Sequence, residues 1–237
     1  MVKYILGDTM DEHFNLLLRN LNLTLSQQQL DQFETYYNIL IEWNGKLNLT
    51  SITEKDEVYT KHFYDSLCLL KSFSFTNQTV LDIGSGAGFP SIPLKIVFPE
   101  LQVTILDALQ KRIVFLKHLT NELGLSIELI HGRAEEFTRK NHYDIVTARA
   151  VANLQVLSEL CIPFVRPQGH FLGMKGPNLS DELEHSKNTI TILGSKVHNI
   201  VEYQIEEFTR TIIDILKEEN TSDKYPRKYN KIKSKPL

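Results

Sequence analysis

The sequence predicts an α/β fold: one seven-stranded, mostly parallel sheet with an antiparallel last strand, preceded by N-terminal helices. Three observations lead there. From Thr79 onward, short β-branched runs alternate with amphipathic helical stripes, which implies right-handed βαβ crossovers. A glycine-rich turn follows the first run directly. The final two runs are separated only by residues 204–207, too few for a crossover helix, so they are expected to pair antiparallel.

Two helices open the chain. Phe14, Leu17, Leu18 and Leu21 share one stripe, and Leu30, Phe33, Tyr37, Leu40 and Ile41 share another. Ser26 with Gln29 predicts a capping box for the second helix, and Gly45 its stop. Strands are expected at 80–83 (VLDI), 103–106 (VTIL), 127–130 (IELI), 143–148 (YDIVTA), 170–175 (HFLGMK), 196–203 (KVHNIVEY) and 208–217 (FTRTIIDILK). Helices lie between the first five, marked for example by Ile113, Leu116, Thr120 and Leu123, or by Leu154, Leu157, Cys161 and Phe164. This arrangement resembles the class I S-adenosylmethionine methyltransferase fold, which is Rossmann-like, and differs from the six-stranded nicotinamide-binding domain.

At 237 residues and 42% hydrophobic content the chain can bury a sizeable core. No run approaches the roughly 18 apolar residues of a membrane span. The opening MVKYILGDTMDEHF turns acidic too early for a signal peptide, so a cytoplasmic location is expected. Cys68 and Cys161 sit in apolar contexts without metal-type spacing and read as reduced packing residues. The eight histidines form no HxxxH or Cys/His cluster, and no metal site is expected. The net charge of −3 is unevenly spread: KYPRKYNKIKSKPL, the last fourteen residues, carries six bases and no acid, leaving −9 on the remainder. Such a tail either meets phosphate or is a solvated terminus.

The sharpest local signal is VLDIGSGAGFP, Val80 to Pro90. Gly84, Gly86 and Gly88 let the chain turn sharply and let a ligand approach the backbone with no Cβ in the way, while Pro90 suits the first turn of the next helix. Asp107 follows Gly88 by nineteen residues, at the end of the second strand, where a carboxylate accepts hydrogen bonds from ribose hydroxyls. The GxGxG spacing differs from the dinucleotide GxGxxG and favours S-adenosylmethionine, which has no pyrophosphate, over NAD. There is no GxxxxGK[ST] loop, and Ser85 is not in a GxSxG elbow because position 83 is Ile. After the third strand, Gly132 to Glu136 offers either an amide and a carboxylate for an adenine or a solvated acidic helix turn. After the fourth, Arg149 is a clamp for the methionine carboxylate, a clamp for an RNA phosphate, or a surface ion pair.

Longer stretches carry a family resemblance. They are Trp43-Asn44 with Asn48-Leu49-Thr50, KHFYDSL (61–67), DIGSGAGFPSIPL (82–94), and Leu106-Asp107 with Lys111-Arg112 and Phe115-Leu116. Arg133-Ala134-Glu135, ARAVA (148–152), and Tyr225-Pro226-Arg227 with the final Pro236-Leu237 complete the set. In this order, across nearly the whole chain, they resemble the RsmG family, also called glucose-inhibited division protein B. The resemblance implies methylation of guanine N7 in 16S ribosomal RNA, with Gly84, Phe89, Ala134, Glu135 and Arg149 as cofactor contacts beside Gly86 and Asp107. The chain is expected to divide into an N-terminal helical extension packed on the core (1–72), a methyltransferase domain (73–219) and a basic C-terminal tail (220–237). In two places the sequence departs: Ser91 replaces a usual glycine, and the stretch after Arg227 lacks the usual Gly-Pro turn.

The implied acceptor accounts for a missing motif. An exocyclic amine sheds a proton when methylated, and families that methylate adenine there use an Asn-Pro-Pro-Tyr type loop after the fourth strand. Here that place reads Thr147-Ala148-Arg149-Ala150, and guanine N7 has a lone pair and no proton. No general base is expected. Trp43 reads as a core aromatic or a base-stacking platform, and His62 as a packed, hydrogen-bonded histidine or a catalytic one. Lys175, Arg227, Lys228 and the other tail bases, with Lys111 and Arg112, are expected to meet RNA phosphates. The expected partner is 16S rRNA within a ribosomal particle, met by a monomer away from any membrane. The competing classes are a noncatalytic ribosome-assembly factor that binds RNA and a nicotinamide-dependent oxidoreductase.

Overall fold

The computed structural model describes residues 10–149, 152–177 and 179–237. The first nine residues of the opening stretch, and Ala150 and Val151 of ARAVA, lie outside the described residues. The chain begins with α1 (Met10–Arg19) and α2 (Gln27–Leu47). A continuous helical run follows, made of α3 (Lys55–Val58), a wide π-type turn (Tyr59–Tyr64), α4 (Asp65–Leu67) and a tight turn (Cys68–Lys71). Then come β1 (Thr79–Ile83), α5 (Ser91–Val97), β2 (Gln102–Asp107), α6 (Gln110–Glu122), β3 (Glu128–His131), β4 (Tyr143–Arg149) and α7 (Leu154–Cys161). The chain closes with β5 (Val165–Lys175), α8 (Leu179–Ile192), β6 (Ser195–Ile205), β7 (Phe208–Lys217) and α9 (Tyr229–Ser234).

The strands form one sheet in the order β3-β2-β1-β4-β5-β7-β6, with β7 antiparallel to both neighbours. From β1 the chain winds outward to β3 and then crosses back to β4 on the other side of β1. The loops leaving β1 and β4 therefore diverge, and a crevice opens at their C-terminal ends. Val80, Leu81, Asp82 and Ile83 are all buried, the pattern of a strand covered on both faces. One face carries α1, α2, the 55–71 run, α5 and α6, around Phe14, Phe33, Tyr36 and Phe63. The other carries α7, α8 and α9, around Leu154, Leu157, Ile190 and Ile232. Each such large apolar side chain contributes about 1.5–3 kcal/mol on burial.

The capping box forms as read: Gln29 N–H donates to Ser26 Oγ at 3.3 Å and Ser26 N–H to Gln29 Oε1 at 2.9 Å. The same Gln29 amide donates to the Ile96 carbonyl at 2.8 Å, tying α2 to α5. Gly45 does not stop α2. The helix runs two residues further and is capped by Asn48, whose φ of +50° its short polar side chain tolerates. Pro90 takes the N-cap of α5 rather than its first turn. The expected helix through Phe164 ends at Cys161 and tightens over Ile162–Phe164, where Pro163 lacks the N–H a helix needs. β5 starts five residues before the predicted 170; its polar opening, with Gln168 at φ +65° and a register shift against β4, hides the strand pattern.

The C-terminal segment is packed, not loose. Tyr225 and Ile232 are buried against α7. The Leu237 carbonyl accepts from Gln155 at 2.5 Å and Thr189 at 2.8 Å. Arg227, expected to meet RNA phosphate, instead holds the buried Glu159 through Nε at 2.7 Å and a second guanidinium nitrogen at 2.6 Å. Breaking such a pair leaves a buried charge uncompensated and costs about 3–5 kcal/mol. Arg227→Met is therefore expected to lower unfolding free energy by about that much in urea, and Arg227→Met with Glu159→Leu to recover most of it. Equal loss in both variants would show that the pair is not the anchor.

Candidate functional site

The turn after β1 passes through Gly84, Gly86 and Gly88 at φ +73°, +64° and +104°. Gly84 N–H donates to the Leu106 carbonyl at 2.8 Å and sews the turn to β2. At Gly88 a Cβ would stand 2.6 Å from Ile92 Cδ1 and 2.8 Å from the Tyr36 hydroxyl, so a side chain is excluded twice, by space and by φ. Tyr36 itself donates to the Ala87 carbonyl at 2.6 Å, so α2 buttresses the turn from below.

Asp107 meets that turn. Its Oδ1 accepts from Leu109 N–H at 2.9 Å, and its Oδ2 accepts from Gly86 N–H at 3.3 Å and from Arg112 at 3.3 Å. A carboxylate has about four acceptor sites, so one remains for a hydroxyl. Gly84, Gly86, Phe89, Asp107 and Arg149 thus line one cavity of about 450 Å³. Ser85, in the same wall, has a buried hydroxyl with no hydrogen-bond partner. Ala134 and Glu135 do not line this cavity. They lie on the next loop, which Gly132 N–H holds to the Asp107 carbonyl at 3.1 Å, and Glu135 faces a neighbouring cavity beside Arg133 and Lys228.

Arg149 ends β4 at the other side of the cavity. Its guanidinium lies 4.6 Å over the Phe89 ring, and one nitrogen donates to Asp65 Oδ2 at 3.3 Å. Tyr203 of β6 donates its hydroxyl to the other Asp65 oxygen at 2.7 Å. His62 stacks on Phe89 at 4.7 Å. Its Nδ1 lies 3.0 Å from the Lys61 carbonyl, which only accepts, and 3.4 Å from an Arg149 nitrogen, which only donates; the shorter contact assigns the ring proton to Nδ1. Nε2 then accepts from the Thr50 hydroxyl at 2.7 Å. Burial first, then the Arg149 charge, lowers the His62 pKa to about 3, so the ring is neutral at physiological pH. Beneath the turn, Asp82 is fully buried, accepts from Ser91 N–H at 3.3 Å and has a second oxygen without a partner. Burial pushes its carboxyl up to about 7, against the Ser91 hydrogen bonding that lowers it.

The expected RNA contacts are placed less openly. Lys175 is bound by Glu182 at 2.7 Å and the Ala152 carbonyl at 2.8 Å. Lys111 reaches the Leu47 carbonyl at 3.4 Å, Arg112 is on Asp107, and Lys228 is exposed. Trp43 packs α2 against α6, 5.8 Å from Phe115 and 5.3 Å from His118. Sequence reading missed Tyr36, Asp82 and Tyr203. Only Asp82 had a signal, as an acid inside an otherwise apolar strand.

Asp82 sets a pH dependence whose sign follows from its raised pKa. Between about 4 and about 7 the folded state keeps a proton that the unfolded state has released, so stability falls as pH rises through that window. Asp82→Asn removes the titration. Its stability relative to the unsubstituted chain is expected to climb across the window by up to about 1.4 kcal/mol per pH unit, read from urea midpoints at successive pH values. A flat difference would mean that Asp82 is ionised when folded.

A family model described as GidB, rRNA small subunit methyltransferase G, matches residues 29–213. "Ribosomal RNA small subunit methyltransferase G" of Bacillus cytotoxicus is 50% identical over 225 residues, covering 92% of this chain and 94% of the relative. That of Geobacillus sp. is 49% identical over 232 residues, covering 94% and 98%. Among solved structures, a methyltransferase from Pyrococcus furiosus superposes with TM-score 0.56 at 12% identity over 79% of this chain and 98% of its own, a likeness of fold. Matched along nearly its whole length, the chain belongs to the ribosomal RNA small subunit methyltransferase G family.

Proposed function

We propose that this protein transfers a methyl group from S-adenosylmethionine to N7 of a guanine in 16S ribosomal RNA, as a cytoplasmic monomer acting on a ribosomal particle. The observation that carries this reading is the convergence of the glycine turn, Asp107 and Arg149 on one cavity in a chain of this family. The residues fit the cofactor. Asp107 has one acceptor site left for a ribose hydroxyl, Glu135 stands on the adjoining loop for the adenine, and the Arg149 guanidinium suits the methionine carboxylate. The unpartnered Ser85 hydroxyl in the cavity wall is left for a polar group of a ligand. When bound, the cofactor supplies an electrophilic methyl on its sulfonium.

The chain's own contribution is orientation. Phe89, His62 and Arg149 are locked by one another, and a fixed wall of this kind holds an acceptor in line, an effect worth up to about 7–11 kcal/mol in favourable cases. N7 has no proton to lose, and neutral His62 has both ring nitrogens engaged. His62→Gln is therefore expected to keep kcat within about ten-fold, since removal of a general base costs on the order of 10²–10⁴-fold. Arg149→Ala is expected to weaken cofactor binding by roughly ten- to a hundred-fold, the scale of one lost charged hydrogen bond, as measured calorimetrically with S-adenosylhomocysteine.

The reading itself is tested by tritiated methyl transfer to small ribosomal subunits from a strain lacking this protein, with nucleoside analysis of the product. N7-methylguanosine is expected, with S-adenosylhomocysteine but not NADH raising the melting midpoint. No transfer, or methylation at another atom, would overturn it.

A further inference from the structure

A second cavity, of about 230 Å³, adjoins the cofactor cavity and shares His62 and Arg149 with it. It extends between Lys61, Asp65, Tyr203 and Arg210. Its floor is built and rigid: Asp65 and Tyr203 are both buried, and the carboxylate is held by the Tyr203 hydroxyl on one oxygen and by Arg149 on the other. Its rim is positive, but two of the cations there are already matched. Lys61 pairs with Glu57 at 2.5 Å and Glu206 at 3.3 Å, and Lys175 with Glu182 at 2.7 Å.

Arg210 is different. Among the described residues it makes no ion pair and no side-chain hydrogen bond, and the Phe208 ring lies 5.8 Å from the guanidinium carbon. The β6–β7 register sets it directly opposite Tyr203, on the wall of the cavity. Its charge reaches inward, where it opposes protonation of His62. A half-buried guanidinium without a counterion, facing a polar cavity, calls for an anion. The cofactor has a single carboxylate, and Arg149 already stands in the cofactor cavity to receive it. A phosphodiester of the acceptor strand remains.

We propose that this second cavity receives the acceptor nucleotide of the RNA and that Arg210 binds the phosphate that holds it there. The inference rests on the reading of the chain as an RNA methyltransferase. Arg149 then stands at the passage between the two cavities, with Asp65 and Tyr203 fixing it from the acceptor side. Neither the glycine turn nor Asp107 lines this second cavity, so a base entering there does not compete for the groups assigned to the ribose.

The test compares Arg210→Gln, Arg210→Lys and, as an exposed control on α8, Lys187→Gln. Each is assayed with small ribosomal subunits from a strain lacking this protein. For Arg210→Gln, KM for the subunits is expected to rise roughly ten-fold, and the slope of log affinity against log salt to become shallower by about 0.7–0.9, the value of one phosphate contact. Affinity for S-adenosylhomocysteine and the melting midpoint are expected to stay unchanged, with Arg210→Lys recovering part of the loss and Lys187→Gln matching the unsubstituted chain. Unchanged KM and slope in Arg210→Gln, with the unsubstituted chain active, would overturn the proposal while leaving the activity standing. So would a parallel loss of S-adenosylhomocysteine affinity, which would place Arg210 in the cofactor's service. Absence of methyl transfer by the unsubstituted chain would overturn the activity first and this site with it.

Discussion

The ring of Phe89 stacks on Tyr36 at 5.4 Å and on His62 at 4.7 Å, and the Arg149 guanidinium lies 4.6 Å above it. One side chain thereby ties α2, the 55–71 helical run and the end of β4 to the turn after β1. Tyr36 adds a second constraint through its bond to the Ala87 carbonyl, and the contact leaves no room for a Cβ at Gly88. The glycine turn is therefore shaped from two sides, by its own backbone and by the helices beneath it. The N-terminal segment forms a wall of the site itself, since Leu49 and Thr50 of the α2–α3 connection and His62 of the 55–71 run line the same cavity as Gly86 and Asp107.

Electrostatics follow from that packing. Arg149 is the cation at the centre, with Asp65 as its direct partner and a neutral His62 beside it. A charged imidazole there would sit next to the guanidinium without compensation, so burial and repulsion act in the same direction. On the turn's other side two carboxyls are handled differently. Asp107 keeps three donors around it, whereas Asp82 has one weak backbone donor and is pushed toward its neutral form. Two acids within the same strand-end region thus differ in how many N–H groups each reaches, and at Asp82 burial prevails.

Much of this was legible in the sequence because the relevant signals are local. Strand periodicity, the Ser26 capping box, the glycine turn and Asp107 at a strand end all depend on residues close in the chain. What was hidden depends on contacts at long range. Nothing in the pattern around Tyr36 distinguishes a core aromatic from one that bonds the Ala87 carbonyl, 51 residues away. Tyr203 and Asp65 are 138 residues apart and meet only because the β6–β7 hairpin folds over the 55–71 run. The wide turn at Tyr59–Tyr64, which carries Lys61 and His62, has no signature in residue spacing. Gly45 misled for the opposite reason: a glycine near a helix end is a usual stop, but Asn48 supplied the left-handed residue instead.

The charge asymmetry of the chain also acquires a structural meaning. A basic terminus read from composition alone is as easily a solvated tail as a surface, because composition carries no information about path. Arg227 resolves this by leaving the exposed set: its bond to Glu159, with Tyr225 and Ile232 buried around it, fixes the segment on α7. Lys224, Lys228, Lys231, Lys233 and Lys235 stay exposed along that fixed path, and Lys228 borders the cavity that Glu135 also lines. One base spent on an internal acid therefore holds five others along a fixed path, with Lys228 at the cavity that Glu135 lines. On a body that is otherwise acidic, a fixed patch concentrates the field where a flexible tail would spread it.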